Sequence, residues 1–327
     1  MRMERKSMFR RTWFLIAISL TLRAYGQATT PVHDGMTVRV PALVESRSGE
    51  IAYGLSAADF TIRDDGTPQR ISLDGDSAPQ PLSLILVIQT GHGAKSQLSK
   101  ITRLPDLLDG LLTNTQDQTA IVTFDSSPRL LQAFTTDQDT ISAALSSISG
   151  GNSGAALFDA MHLAVLELGK AAPNTQKLIV LISGEHDHGS VGVDAGSLIR
   201  EIASMNASTY VLSFKSGKTE IFGGLWSLNP LALTGSAMQK NASQTLAQMT
   251  GGDFFRFANE REFESRMGDI ENHVHNRYNF VFQPSTPSPG LHSLEVESRE
   301  QKINVVAARS MYWVPDNHAA ATGGGSE

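Results

Sequence analysis

This sequence predicts an α/β fold: a doubly wound, mostly parallel sheet with helices on both faces, accompanied by a small β-domain built from the two ends of the chain. From Leu82 onward, apolar runs recur without polar alternation, at Leu82–Ile88, Thr119–Phe124, Lys177–Ile182 and Ser208–Phe214. Unalternated runs of this length mark strands covered on both faces. Segments of helical periodicity lie among them, at Gln97–Leu112, Thr140–Ile148, Ala156–Leu168 and Ala195–Met205, and strand–helix alternation is the pattern of a parallel sheet. Outside this block, short runs bounded by turn residues read as strands.

The first 26 residues predict a secretion signal. Arg2, Arg5, Lys6, Arg10 and Arg11 form a basic start, and Trp13–Leu22 is an apolar run too short to span a bilayer comfortably. Ala24-Tyr25-Gly26 supplies small residues at the cleavage offsets, placing the cut near Gly26/Gln27. The expected location is secreted or periplasmic, the alternative being an uncleaved anchor in the inner membrane. Removing residues 1–26, with six Lys/Arg and one acidic residue, takes the net charge from −6 to about −11. So acidic a chain disfavours nucleic acid and anionic lipid as partners. The absence of cysteine excludes thiol chemistry, disulfides and a lipoprotein anchor.

Residues 27–80 read as an N-terminal β region. Thr37–Val44 alternates in part, and Asp64-Asp65-Gly66 sits like a hairpin turn between Phe60–Arg63 and Arg70–Leu73. Turn chemistry accounts for the neighbouring carboxylates of Asp64 and Asp65. The α/β domain is expected over 81–284. Arg129–Phe134, following Ile121–Phe124 across a Ser-Ser-Pro turn, predicts one antiparallel edge strand, and Ala242–Met249, Asp253–Phe257, Glu260–His273 and Tyr278–Gln283 continue as helix, strand, helix and strand. Residues 285–316 return to β character, with His292–Glu297 expected to pair with Ile303–Arg309 and to pack with the N-terminal region. Residues 317–327 read as a disordered tail.

Several motifs in a fixed order carry a resemblance. They are Gly54-Leu55-Ser56-Ala57-Ala58-Asp59-Phe60, Asp65-Gly66-Thr67-Pro68-Gln69, Pro81-Leu82-Ser83-Leu84, Leu157-Phe158-Asp159-Ala160, Thr250-Gly251-Gly252, Arg277-Tyr278-Asn279-Phe280 and the closing Ala308–Trp313. The mature chain is similar in these to the von Willebrand factor type A (vWA)-related family abundant in acidobacteria. The resemblance implies a Rossmann-like vWA sheet with a divalent-cation site above the carboxyl ends of its strands. It also implies the ligands of that site: an Asp-x-Ser-x-Ser loop after the first strand, a Thr from a second loop and an Asp after the fourth strand. In this sequence Gln89, Gly91 and Gly93 stand at the first three positions, Ala155 at the fourth and Ser183 at the fifth. Neutral oxygens from Gln89 and Ser183 are too few for Mg²⁺, which takes hard oxygen donors in a near-octahedral shell. The site is therefore expected to be degenerate, with no cofactor and Mg²⁺ lost.

The function this implies is an exported, non-enzymatic, adhesion-like interaction protein that binds an unidentified protein partner without metal. The expected contact residues are Gln89, Thr90, Gly91, His92, Gly93, Ala155, Ser183, Glu185 and, from the long apolar connection 216–240, Trp226. One alternative is a metalloprotein or hydrolase in which His92, His186, Asp187 and His188 hold Zn²⁺. Another is a purely structural envelope component. No Gly-x-Ser-x-Gly, His-Glu-x-x-His or Walker sequence occurs.

Overall fold

In the computed structural model the described residues are 36–74, 80–214, 230–285 and 288–316. The expected signal sequence, residues 317–327 and most of the apolar connection with Trp226 lie outside them. The strands are β1 (Val38–Ser46), β2 (Phe60–Asp64), β3 (Thr67–Pro68), β4 (Ile71–Leu73), β5 (Leu82–Gln89), β6 (Gln118–Phe124), β7 (Pro128–Thr135), β8 (Gln176–Ser183), β9 (Ala207–Ser213), β10 (Phe254–Arg256), β11 (Tyr278–Phe282), β12 (Gly290–Ser298), β13 (Ile303–Ala308) and β14 (Met311–Val314). The α-helices are α1 (Leu104–Leu111), α2 (Gln138–Ser146), α3 (Leu157–Leu168), α4 (Ala195–Ser204), α5 (Pro230–Lys240), α6 (Ala242–Thr250) and α7 (Glu260–Asn276).

The central sheet runs β10-β9-β8-β5-β6-β7, parallel except for β7. Every residue of β5 is buried. Its alternate side chains feed two cores: Ile85 and Val87 pack with α3, α4 and α6, while Leu84, Leu86 and Ile88 pack with α1, α2 and α7. A strand needs apolar residues on both faces only when both faces are covered, so the doubly wound architecture is the reason for the unbroken run. Asp137, Asp194, Asn241 and Asn259 cap α2, α4, α6 and α7 through backbone amides of the first turn.

The helix predicted over Gln97–Leu112 is shorter than expected. Short 3₁₀ turns occupy Ala94–Ser96 and Leu98–Lys100, and α1 begins only at Leu104. Pro105 explains the late start: it lacks an N–H and suits the first turn of a helix, not its interior.

Strands from both ends of the chain form two further sheets, β13-β1-β11-β4 and β14-β12-β2-β3, around a shared core that includes Val40, Phe60, Ile62, Phe280, Leu294 and Tyr312. Three details differ from the sequence reading. The turn Asp65-Gly66, with φ of +46° and +80°, closes β2 onto β3, whereas β4 crosses to the other sheet and pairs with β11. Strand β11, grouped above with residues 81–284, lies between β1 and β4. Strands β12 and β13 do not form a hairpin: β12 pairs with β2 and β14, and β13 with β1. Leu294 and Val296 on one sheet and Ile303 and Val305 on the other then face the same core. A hairpin would satisfy the backbone equally well, so it is the burial of both apolar sets that separates the strands.

Arg309 fastens this β region to the end of α4 and the turn that leads into β9. Its guanidinium donates to the carbonyls of Arg39, Ala203 and Met311 and to Asn206 Oδ1 at 2.7–3.1 Å. Burial pushes its pKa down to about 10. No helix among the described residues is long and apolar enough to cross a membrane.

Candidate functional site

The loops in which the site is expected follow β5 and β8 and join α2 to α3. Gln89 ends β5 and is buried. Its amide nitrogen donates to Gly91 O at 3.0 Å and its amide oxygen accepts from Gly184 N at 2.8 Å. One neutral side chain thus ties the first loop to the third and leaves neither end of its carboxamide unsatisfied.

The second loop closes over the first. His92 N donates to Asn152 O, Gly151 N to Thr90 O, and Ala156 N to Asp125 O. Gly91 sits against this loop so closely that a Cβ there would lie 2.7 Å from Asn152 O and 2.8 Å from Asp125 Cβ, and would overlap Gly154 O. A serine at this position has no room for its side chain while the loop keeps this conformation.

Ala155 exchanges both backbone hydrogen bonds with His188, N to O at 2.8 Å each way, and so joins the second loop to the third. Ser183 Oγ lies 2.8 Å from Gly184 O and 3.1 Å from Ser243 Oγ, and Ser243 Oγ donates to Gly184 O at 2.6 Å. Thr90 Oγ1 donates to Phe124 O at 3.1 Å. Glu185 is buried and ion-paired at 2.8 Å with the partly buried Arg256, and its carbonyl accepts from Ala242 N.

This donor set does not fit Mg²⁺. The Gln89 oxygen already accepts from a backbone amide, Ala155 offers no side-chain oxygen, and the hydroxyls of Ser183 and Thr90 face carbonyls. A cation requiring carboxylate charge and several oxygens finds neither among Gln89, Gly91, Gly93, Ala155 and Ser183.

The four histidine and aspartate candidates are neighbours without converging. His92 and His188 stack with centroids 4.2 Å apart, and His186 meets His188 edge-on at 6.3 Å. Among the described residues, no three of these four bring their ligand atoms within 4.8 Å of one another. Asp187 Oδ1 accepts from Phe158 N and Ser190 Oγ, and Oδ2 from Ser190 N. It thereby holds the N-terminus of α3. Asp159 does the reciprocal work, accepting from the amides of Val191, Gly192 and Val193. Burial, followed by the nearby His92 and His186, holds the His188 pKa below its ordinary value. The imidazole is thus neutral at physiological pH.

Of the nine expected contact residues, Gln89, Thr90, Gly91, Ala155, Ser183 and Glu185 are buried, His92 and Gly93 are exposed, and Trp226 lies outside the described residues. The solvent-facing rim is made instead of His92, Asn152, Ser153, His188 and Val191, the last 94% exposed. Asn152, Ser153 and Val191 belong to no motif, so the sequence does not single them out as it does His92 and His188. A separate cleft of about 790 Å³ lies at the opposite end of the strands, bordered by Asp117, Lys177, Arg277 and Arg309. No sequence pattern marked it.

Residues 88–186 match the von Willebrand factor type A domain family. Several solved structures are similar to the chain. BatB from Bacteroides thetaiotaomicron is 18% identical with a TM-score of 0.43, the alignment covering 59% of this chain and 97% of that one. An aerotolerance-related membrane protein from Bacteroides fragilis is 19% identical, with a TM-score of 0.41 and coverage of 58% and 98%. The vWF domain of the type V pili tip protein Mfa5 from Porphyromonas gingivalis is 9% identical, with a TM-score of 0.43 and coverage of 61% and 96%. No curated protein matches the chain.

Proposed function

We propose that this chain, which carries a vWA domain matched over residues 88–186, is an exported, non-enzymatic protein-binding module whose upper face engages its partner without a divalent cation. The observation that carries this reading is the bridge through Gln89, which joins Gly91 and Gly184 by two hydrogen bonds where the family resemblance places the first metal ligand. The loops of the upper face are held by that bridge and by the Ala155–His188 pair, so their shape does not depend on a bound ion.

The partner would meet His92, Asn152, Ser153, His188 and Val191. This rim combines an exposed apolar side chain with two stacked imidazoles and short polar groups. Such a mixture suits a protein surface offering hydrogen-bond partners around an apolar contact. The buried residues Gln89, Gly91, Ala155 and Ser183 act by holding the loops, not by touching the partner.

The test is capture of a specific partner from envelope extract in EDTA, by the full chain and by a His92→Asn/His188→Ala variant. Asn tolerates the positive φ of His92, so the variant should fold with an unchanged Tm. The expected result is a partner retained in EDTA and lost with the variant. A partner that appears only when Mg²⁺ is added, or that the variant still captures, overturns the proposal.

A further inference from the structure

A second cluster lies in the β region, away from the upper face. Asp64 ends β2, Asp65 begins the turn that follows, and His292 lies on β12, so strand pairing brings the three together. The ligand atoms of these residues lie within 4.8 Å of one another. His292 Nδ1 is 2.9 Å from Asp65 Oδ2 and 3.4 Å from Asp64 Oδ1.

Each of the three is fixed from behind. His292 Nε2 lies 2.6 Å from the carbonyl oxygen of Ser288, which can only accept, so that nitrogen carries the proton and turns Nδ1 toward the carboxylates. Asp64 Oδ2 accepts from the Tyr312 hydroxyl at 2.7 Å, and the Tyr312 ring stacks on His292 with centroids 4.9 Å apart. Asp65 Oδ1 accepts from the Ser293 amide and hydroxyl, both at 2.9 Å. An imidazole N–H on a carbonyl and a carboxylate held through its second oxygen are the supports that metal ligands ordinarily have.

Asp64 Oδ1 points into this cluster, buried within a residue only 6% exposed, and makes no well-formed hydrogen bond among the described residues; its neighbour there is His292 Nδ1 at 3.4 Å. A buried carboxylate oxygen met only by one long contact is costly and favours a closer counter-group. We propose that Asp64 Oδ1, Asp65 Oδ2 and His292 Nδ1 bind a borderline divalent cation of the zinc class. Zinc bonds to nitrogen and carboxylate oxygen are about 2.0–2.2 Å long, so neighbouring ligands of a tetrahedral site stand about 3.4 Å apart. The His292–Asp64 separation already matches that edge, and the His292–Asp65 edge must open by about half an ångström. Asp65 has a half-exposed side chain, which leaves a route for the ion and room for water as a fourth ligand. The imidazole selects zinc over Mg²⁺ and Ca²⁺, which favour oxygen.

Without metal, a proton takes the place of the cation. Hydrogen bonding to Asp64, with further support from Ser288 and Asp65, pushes the His292 pKa up to about 9 against the opposing effect of burial.

The experiment adds ZnCl₂ to the chelator-stripped full chain and to an Asp65→Asn variant. Stoichiometry is measured by equilibrium dialysis, Tm by thermal unfolding, and Co²⁺ is substituted for its absorption spectrum. Asn accepts the positive φ of position 65 and can still accept from Ser293, so the variant keeps the turn. One zinc per chain, a raised Tm and a Co²⁺ spectrum of low coordination number are expected. Asp65→Asn should weaken binding at least tenfold, while His186→Ala/His188→Ala should leave it unchanged. Three results each overturn the site: no zinc uptake, meaning an ion-paired imidazolium only; equal affinity in Asp65→Asn; or loss of binding in the His186/His188 variant. Since Asp65→Asn leaves the upper face intact, partner capture by that variant separates this site from the proposed function.

Discussion

Gln89 Oε1 accepts the Gly184 amide proton at 2.8 Å, and through that bond the loop after β5 is fastened to the loop after β8. The same carboxamide donates to Gly91 O. Gln89→Ala should therefore cost about 1–3 kcal/mol, since it removes two hydrogen bonds and leaves the Gly184 N–H without its partner, while Gly91 O keeps the amide of Ala94. Gln89→Glu has nearly the same shape but sets an acceptor against the Gly91 carbonyl, and should cost a similar amount. Urea unfolding of both variants measures this. A loss under about 0.5 kcal/mol in either would show that the bridge does not hold the loops.

The steric limit at Gly91 gives a separate expectation. Gly91→Ser supplies a hydroxyl where the metal-binding pattern has one, yet its Cβ meets the backbone of Asn152 and Gly154. The variant should lose about 2–4 kcal/mol, as strain of this kind usually does, and Mg²⁺ should not restore it. Recovery of the wild-type Tm in millimolar Mg²⁺ would show instead that the second loop withdraws and the site re-forms.

The central sheet was legible in the sequence because its strands are buried on both faces, which leaves apolar runs such as Leu82–Ile88 that no other context explains. The motifs behind the family resemblance also have structural reasons. Asp159 holds three amides of the loop after β8, and Thr250 Oγ1 accepts from Thr209 N. Gly252 packs on the Thr209 carbonyl with no space for a Cβ. Strand partners in the β region were not legible. The alternation of His292–Glu297 fixes which residues face inward but not which strand lies beside them, and both β2 and β13 present apolar faces. Nor could the sequence separate buried loop residues from exposed ones at the upper face. Ser183, at the end of β8, and Ser153, in a loop, are both serines at the upper face, and only the fold seals one and exposes the other.

Arg309 predicts a stability effect that no surface arginine would have. Its guanidinium satisfies three carbonyls and Asn206 Oδ1 from a buried position. Ala203 O belongs to the last turn of α4, where a cation also complements the helix dipole. Arg309→Met keeps much of the volume but strands these acceptors, and should cost about 3 kcal/mol or more. Arg309→Lys should recover only part of this, since one ammonium does not reproduce the fork. Equilibrium unfolding decides it: a methionine variant as stable as wild type would mean that water replaces the guanidinium at little cost.

Asp253, at the entry to β10, should make stability depend on pH in an unusual direction for a carboxylate. Burial pushes its pKa up to about 6 against the amide of Phe254, which donates at 2.7 Å and favours the charged form. The charges of Asp269 and Glu45 push the same way as burial, and Arg266 opposes them. His273, 3.9 Å away, offers little compensation, because burial lowers its own pKa and keeps it neutral. With the folded pKa above the unfolded value, the native state holds the proton longer. Stability contributed by this residue therefore falls as pH rises from about 4 to about 6, and the deficit is complete above that. Asp253→Asn removes the ionisation while its amide oxygen can still accept from Phe254. At pH 7 it should be more stable than wild type by about 1–2 kcal/mol, after allowing for the solvent that reaches a side chain 31% exposed. Near pH 4 the two should coincide. Taking the difference between the proteins at each pH cancels the titration of His273 and of the other groups to first order. A difference that stays constant from pH 4 to 7 would mean that Asp253 ionises normally in the folded protein.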